Sequence, residues 1–311
     1  MIVKKMADTR SRTLIILNPH AAGGRAGKVW KDLEPLLWQE LGELMVAVTQ
    51  HPAEVAEHLD KAHAVGIRRV VSIGGDGTNH ALVNALAGQN ETLAPEDRMI
   101  YGTLPVGTGR DWARGAGIPT RDLKQAAEWI ARAQPKPLDL GKVEAGSHAE
   151  YFLNIASAGL GGEVAKRVNR QSTRRPWTFL GATVQTILQY RPGPMTVKLD
   201  GENWYDGGAF ALVVANGTTF GHGMKIAPNA HPDDGLFDVV LVKNASRATI
   251  LTALRRVYSA THLTHPAVQH ARAQQVEVQS ADKLGMELDG EPMDGQSITF
   301  SVQPGILNVL M

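Results

Sequence analysis

Residues 70–86 read VVSIGGDGTNHALVNAL. Val70 to Ile73 is a short apolar, β-rich run, which reads as a buried strand. Gly74, Gly75, Asp76, Gly77 and Thr78 form a turn in which three of the first four residues are glycine. A helix is expected next, with Ala81, Leu82, Ala85 and Leu86 on one face and Gly88 just past its end. Strand, glycine turn and helix make a device for holding phosphate. Backbone N–H groups with no Cβ in the way approach the anion, and the helix N-terminus adds partial positive charge. Asp76 is the informative residue, because a carboxylate in such a cradle repels the ligand unless it binds a cation or takes a proton. The alternative is a tight turn in which Asp76 only caps the helix. A cap, however, does not need glycine on both sides.

The chain around this stretch has 311 residues, enough for two domains of ordinary size. Its hydrophobic fraction of 43% and charged fraction of 20% are those of a globular protein. A formal net charge of +1 gives no global field for nucleic acid. The absence of cysteine removes disulfides, thiolate catalysis and cysteine metal sites together. The basic start MIVKKMADTRSR is followed by the apolar run Leu14 to Leu17, too short for the h-region of a signal peptide. A cytoplasmic protein is expected, meeting a membrane only peripherally, at its inner face.

Upstream, Thr13 to Leu17 reads as the first strand, ending at Asn18-Pro19 and the run HAAGGRAGK. A P-loop would need glycine at Ala22 and Ser or Thr at Val29, so that motif fails. Arg25 and Lys28 either reach phosphate oxygens or sit in a solvated basic loop. Leu44 to Thr49 is the second strand, and Pro52 is expected to start a helix whose face carries Val55, Leu59 and Ala62. Downstream, a strand from Met99 to Leu104 enters LPVGTGRDWARGAGIP, a second glycine turn with Asp111 in the first turn of a helix. Another helix is expected over 122–133. Alternating strand and helix predict a parallel sheet with helices on both faces. Ligands bind such sheets at the carboxyl ends of strands, so Asn18, Thr49 and Asp76 should converge on one crevice. Gln134 to Pro137 reads as a linker, giving domains at 1–136 and 137–302. Beyond it, short β-runs at 138–143, 151–156, 195–199, 209–215, 237–242, 276–278 and 297–302 predict an antiparallel second domain.

GGDGT resembles the signature of the diacylglycerol kinase catalytic domain family, which includes bacterial lipid kinases and sphingosine kinases. NAD kinases and phosphofructokinases share it. Three further matches, in family order, narrow the resemblance. Asn18-Pro19 is similar to the asparagine-proline-glycine opening. Leu104 to Asp111 resembles the second signature, with Arg110 where the family has asparagine. Leu288-Asp289-Gly290-Glu291-Pro292 resembles the aspartate-glycine-glutamate motif. The resemblance implies an NAD kinase-like α/β domain with a parallel sheet and an all-β antiparallel sandwich, with residues 303–311 returning to the first domain. It implies an ATP-dependent lipid kinase. Gly74, Gly75, Gly77, Thr78, Gly107 and Thr108 would cradle phosphates, with Asn18, Thr49, Asn79 and His80 in the nucleotide site. Asp76, Asp111 and Asp139 would hold a catalytic Mg²⁺, and Glu291 would be the general base. In similar bacterial enzymes a structural Mg²⁺ is held by one aspartate and two carbonyls, here Asp234 with His231 and Leu236. Read without the resemblance, His231 to Leu236 is a β-turn, which Asp-Gly favours, and residues 288–292 are a hairpin turn.

Lys166 to Arg175, KRVNRQSTRR, carries five basic residues and no acid. The helix expected after it has Trp177, Leu180, Val184, Ile187 and Leu188 on one face. Two readings stand, a membrane-surface contact or an apolar face packed on the sandwich with solvated arginines. His262, His265 and His270 make no zinc signature, and no G-x-S-x-G elbow supports a hydrolase. The expected partners are ATP and a lipid at the membrane surface, with no nucleic acid, and a homodimer is compatible with the chain. Two other functions compete: a kinase of a soluble metabolite such as NAD or a sugar, and a nucleotide-binding module without turnover, which Arg110 invites.

Overall fold

The computed structural model describes residues 12–106, 110–170, 176–221 and 223–311. The first part alternates strand and helix: β1 (Thr13–Leu17), α1 (Ala21–Leu41), β2 (Leu44–Val48), α2 (Glu54–Ala64), β3 (Arg69–Gly74), α3 (Asp76–Asn90), β4 (Ile100–Pro105), α4 (Asp111–Gly115) and α5 (Leu123–Arg132). The remainder is strand-rich: β5 (Pro135–Ala145), β6 (His148–Phe152), β7 (Ile155–Gly159), α6 (Leu160–Asn169), α7 (Pro176–Gln189), β8 (Pro194–Leu199) and β9 (Glu202–Ala215). It ends with β10 (Phe237–Lys243), α8 (Arg247–Val257), β11 (Val268–Ala273), β12 (Gln275–Leu288) and β13 (Glu291–Leu310).

β1 pairs in parallel register with β2 and β3, and β3 with β4. Successive side chains of a strand point to opposite faces, and these strands are apolar at consecutive positions because both faces are covered. Leu14, Ile16 and Val70 pack with Val55 and Leu59 of α2 and Leu82 and Leu86 of α3. Ile15, Leu17, Val71 and Ile73 pack on the other side with Leu33 and Leu37 of α1 and Ala127 and Ile130 of α5.

The second part is antiparallel, and long bent strands carry it around corners. β12 pairs with β8 through Val276–Gln279 and with β7 through Met286–Leu288, with a register break between the two runs. β13 pairs with β12 and β5, then breaks register between Gln303 and Leu307. Past the break its Asn308 and Val309 pair in parallel with β4. Asn90 at the end of α3 donates to the Ile306 carbonyl at 2.9 Å, and the Met311 and Gln134 amides bond each other's carbonyls. The last residues therefore complete the hydrogen bonding of the first sheet's edge.

Three local expectations are corrected. Residues 134–137 are not a free linker, because β5 starts at Pro135 and pairs Pro135, Lys136 and Pro137 with Leu310, Val309 and Asn308. Two prolines two apart put both missing N–H groups on one side of the strand, and β6 joins β5 only from Gly141 onward. Gly88 lies inside α3 instead of past its end, and a Cβ there would meet nothing within 4 Å. The expected run 151–156 is broken into β6 and β7 by Leu153 and Asn154, which meet Asp289.

No helix among the described residues is long and apolar enough to cross a membrane. In α7, Ile187 packs with Phe210 and Ile250, whereas Leu180 and Leu188 of the expected apolar face are exposed. In the basic run, Lys166 is paired with Glu163 and Asp294, Arg167 donates to Gln189, and Arg170 is exposed. Arg174, Arg175 and the Trp177 side chain lie outside the described residues.

Candidate active site

The glycine turn is shaped by close approach. A Cβ on Gly74 would lie 2.5 Å from Thr78 Oγ1, so only glycine lets β3 feed straight into α3. Thr78 is buried and its Oγ1 accepts from Asn18 Nδ2 at 3.2 Å, which ties the end of β1 to the first turn of α3. The Thr78 hydroxyl therefore faces into the turn. Gly75 has open space at its Cβ position, and Asp76 is exposed at the helix N-terminus.

Across this turn lies the hairpin between β12 and β13, made by Asp289 (φ 51°) and Gly290 (φ 97°). The left-handed conformation at both residues is what a tight two-residue hairpin requires, and aspartate tolerates it better than most side chains. The hairpin is anchored from below. Asp289 accepts the backbone N–H groups of Leu153, Asn154 and Ile155 at 2.7, 3.0 and 3.0 Å. Burial raises its carboxyl above the ordinary value, although the nearby His80 and the three amides pull the other way. The result sets Glu291 against the phosphate turn: a Cβ on Gly77 would sit 2.7 Å from Glu291 Oε1, and one on Gly290 3.9 Å from Asp76 Cβ.

Asp76, Asn79, His80, Asp111 and Glu291 line one cleft. Asp111 opens α4 and accepts from Arg114 at 2.6 Å and from the Gly223 amide at 3.2 Å. Arg110 just before it has φ 56°. That left-handed conformation favours asparagine over arginine, so the departure at this position is a conformational cost. Arg110 is anchored there by donating to the Thr120 carbonyl at 2.6 Å. His80 contacts Glu150 at 3.1 Å. Burial disfavours its charged form, but the Glu150 hydrogen bond and the charges of Asp289, Glu150 and Glu291 outweigh this and raise its pKa.

Other expected residues do different work. Asn79 Oδ1 accepts from Ser72 and, at 3.1 Å, from Thr103, which fastens α3 to β3 and β4. Thr49 is buried, its N–H and hydroxyl both directed to the Leu17 carbonyl. Asp139 does not join Asp76 and Asp111. Only 4% exposed, it accepts from the amides of Gly235 at 2.7 Å and Gly305 at 2.8 Å, clamping the 231–236 turn to the register break of β13. Gly107 and Thr108 lie outside the described residues.

At the 231–236 turn the Asp234 carboxylate is already partnered within the protein. Asp234 Oδ1 accepts the Leu236 amide at 3.1 Å, and Oδ2 meets the guanidinium of Arg272, which also lies 3.5 Å from Asp238. A side-chain cation stands where the resemblance implied an ion. No group of three acidic or histidine side chains suited to a metal occurs among the described residues. Asp76 and Asp111 offer what Mg²⁺ beside a nucleotide uses, one or two carboxylates with the other positions left to phosphate and water.

The same cleft, about 240 Å³ in all, has an otherwise largely apolar lining. Val164 and Val168 of α6, Ile187 of α7, Phe210 and Val213 of β9 and Leu254 of α8 line it. Ser157 and Glu287 also line it, and no motif marks either as a site residue. The one sequence signal was the alternation Met286-Glu287-Leu288, an acid inside an apolar strand.

Residues 12–143 match the model of the diacylglycerol kinase catalytic domain, and residues 154–311 that of the YegS C-terminal NAD kinase beta sandwich-like domain. A Pseudomonas aeruginosa protein named "Probable lipid kinase YegS-like" is 30% identical over 306 residues, covering 96% of this chain and 94% of that protein. The diacylglycerol kinase of Bacillus subtilis is 28% identical over 226 residues, 71% of this chain and 70% of that one. A solved diacylglycerol kinase from Bacillus anthracis shares the fold with a TM-score of 0.71 at 20% identity, over 97% of this chain and 96% of that one. With both domain models matched in order along nearly its whole length, the chain belongs to the diacylglycerol kinase catalytic domain family, in the group that carries a YegS-type C-terminal domain.

Proposed function

We propose that this lipid kinase passes the γ-phosphoryl group of ATP to the hydroxyl of a lipid whose acyl chain lies in the apolar cavity. One observation carries the reading. Glu291 is held against the glycine turn at Gly77, in a cleft whose lining combines Asp76, Asp111 and Glu291 with many apolar side chains. A water-soluble acceptor has no use for such a cavity.

Phosphoryl transfer asks the protein for positioning and charge neutralisation more than for covalent chemistry. The first-turn amides of α3 and the dipole of this helix would face the phosphates. Asp76 and Asp111 would hold Mg²⁺, which supplies neutralisation of phosphate charge. Glu291 takes the proton from the acceptor hydroxyl as the oxygen attacks. Asp289 keeps the Glu291 hairpin in place through its three backbone amides. Asn18 and Asn79 keep the turn rigid.

The test is transfer of label from γ-labelled ATP to diacylglycerol in mixed micelles, beside glycerol, NAD and a sugar as soluble acceptors. Glu291→Gln should lower kcat by about 10²–10⁴ with ATP affinity nearly unchanged. Equal labelling of a soluble acceptor, or a parallel loss of ATP binding in the variant, would overturn the assignment.

A further inference from the structure

Glu287 is a carboxyl group buried where an apolar residue would be expected. Its neighbours Met286 and Leu288 are fully buried in the second-domain core, and Glu287 itself is only 9% exposed. It stands opposite Ser157 in the β7–β12 register. Its Oε2 accepts the Ser157 hydroxyl at 3.0 Å and its Oε1 accepts the Gly290 amide at 2.6 Å. Both Glu287 and Ser157 line the cleft, together with Asp289, Glu291 and the apolar side chains of its wall. A carboxyl group has more hydrogen-bonding capacity than these two donors use, and a buried polar group without its full set of partners is costly.

We infer that Glu287 and Ser157 determine lipid specificity, by hydrogen-bonding an uncharged polar group of the acceptor lipid, an ester carbonyl or a hydroxyl, next to the hydroxyl that is phosphorylated. The inference rests on the lipid-kinase reading and adds to it the kind of headgroup that fits. Two features support an uncharged one. Among the described residues lining the cleft there is no lysine or arginine, whereas Asp76, Asp111, Asp289 and Glu291 all contribute carboxyls. The Mg²⁺ assigned to Asp76 and Asp111 is taken up by the nucleotide phosphates, so no lysine or arginine of this lining is left to neutralise an anionic phosphodiester. Burial, with the charges of Asp289 and Asp111, also pushes the Glu287 carboxyl up to about 8, against the pull of the Gly290 amide and the Ser157 hydroxyl. At neutral pH the group is an uncharged acid that both donates and accepts. A structural role for Glu287 in holding the Gly290 hairpin would act on the position of Glu291, hence on kcat, and not on which lipid binds.

The experiment measures binding by calorimetry and, in the same samples, turnover. The probes are dioctanoylglycerol and dioctanoylphosphatidylglycerol, which share acyl chains and differ by the charged phosphodiester. The full-length protein should bind the neutral lipid about tenfold tighter or better. Glu287→Leu should weaken that binding about tenfold and leave phosphatidylglycerol binding unchanged, the scale of one lost hydrogen bond. Glu287→Gln, neutral and of the same shape, should restore it. Ser157→Ala is a milder second variant and should lose a few-fold. Equal or tighter binding of phosphatidylglycerol by the wild type would overturn the inference. So would a Glu287→Leu variant that loses kcat while binding dioctanoylglycerol as the wild type does. Selective binding without turnover of either lipid would instead remove the kinase reading, so the two fail separately.

Discussion

Replacing Gly77 by alanine tests the juxtaposition on which the site depends. The added Cβ would fall 2.7 Å from Glu291 Oε1, whereas ordinary contact begins at 3.4 Å, so the carboxylate must retreat by about 0.7 Å. Glu291 presents the far end of a flexible side chain, so the backbone of the hairpin need not move. Gly77 is the second residue of α3, and its φ is not among the positive ones. Alanine is therefore allowed, and removing a helical glycine raises stability by up to about 0.5–1 kcal/mol. A displacement near 1 Å at a reacting group costs about 10²-fold in rate, so kcat should fall by about 10- to 100-fold while the melting temperature holds or rises. Gly75→Ala is the control, since its Cβ would meet nothing within 4 Å. If the turn cradles phosphate, Gly75→Ala should raise KM for ATP and spare kcat. Initial rates at saturating ATP and micellar lipid, with a thermal melt of each variant, decide the matter. A Gly77→Ala enzyme with wild-type kcat would refute the placement of Glu291 as the base.

Asp76→Asn should keep the fold, because the residue is exposed, and lower activity by about 10²-fold or more; a folded variant with near wild-type turnover would remove Asp76 from the mechanism. The raised carboxyl of Glu287 binds its proton more tightly in the folded than in the unfolded chain. Its contribution to stability is thus complete below about 4.5 and is lost as pH rises towards about 8. The melting temperature of wild type relative to Glu287→Gln should fall across that window, and a flat difference would contradict the burial argument. At the 231–236 turn, Mg²⁺ without nucleotide should leave the melting temperature of the Asp76→Asn variant unchanged, since its nucleotide-side site is weakened and Arg272 already faces Asp234 and Asp238. Arg272→Ala should make the protein respond to the ion, because ligand binding to the folded state alone stabilises it. A Mg²⁺-dependent rise in the Asp76→Asn variant would mean that the ion displaces the guanidinium.

Much of the α/β half was legible in the sequence because its signals are local. Val70 to Ile73, the glycines after it and the apolar face of α3 each follow from a few neighbouring residues, and the three together specify strand, turn and helix. The hairpin at Asp289-Gly290 and the cap of α5 at Asp122, which accepts from Lys124 and Gln125, are local in the same sense. The carboxylates were harder to sort, since every one of them looks alike in sequence. The resemblance groups Asp139 with Asp76 and Asp111, yet the Gly235 turn and the register break of β13 bring two amides to it and bury it. For Asp234 the resemblance implies a metal, whereas the pairing of β10 with β11 places Arg272 opposite Asp238 and within reach of Asp234. Glu287 lies just outside the 288–292 motif, and only burial near Asp289 and Asp111 raises its carboxyl. The physical reason is range. Backbone conformation is set by residues a few positions apart, whereas the state of a carboxyl group depends on which amides, cations and apolar walls non-local pairing brings around it.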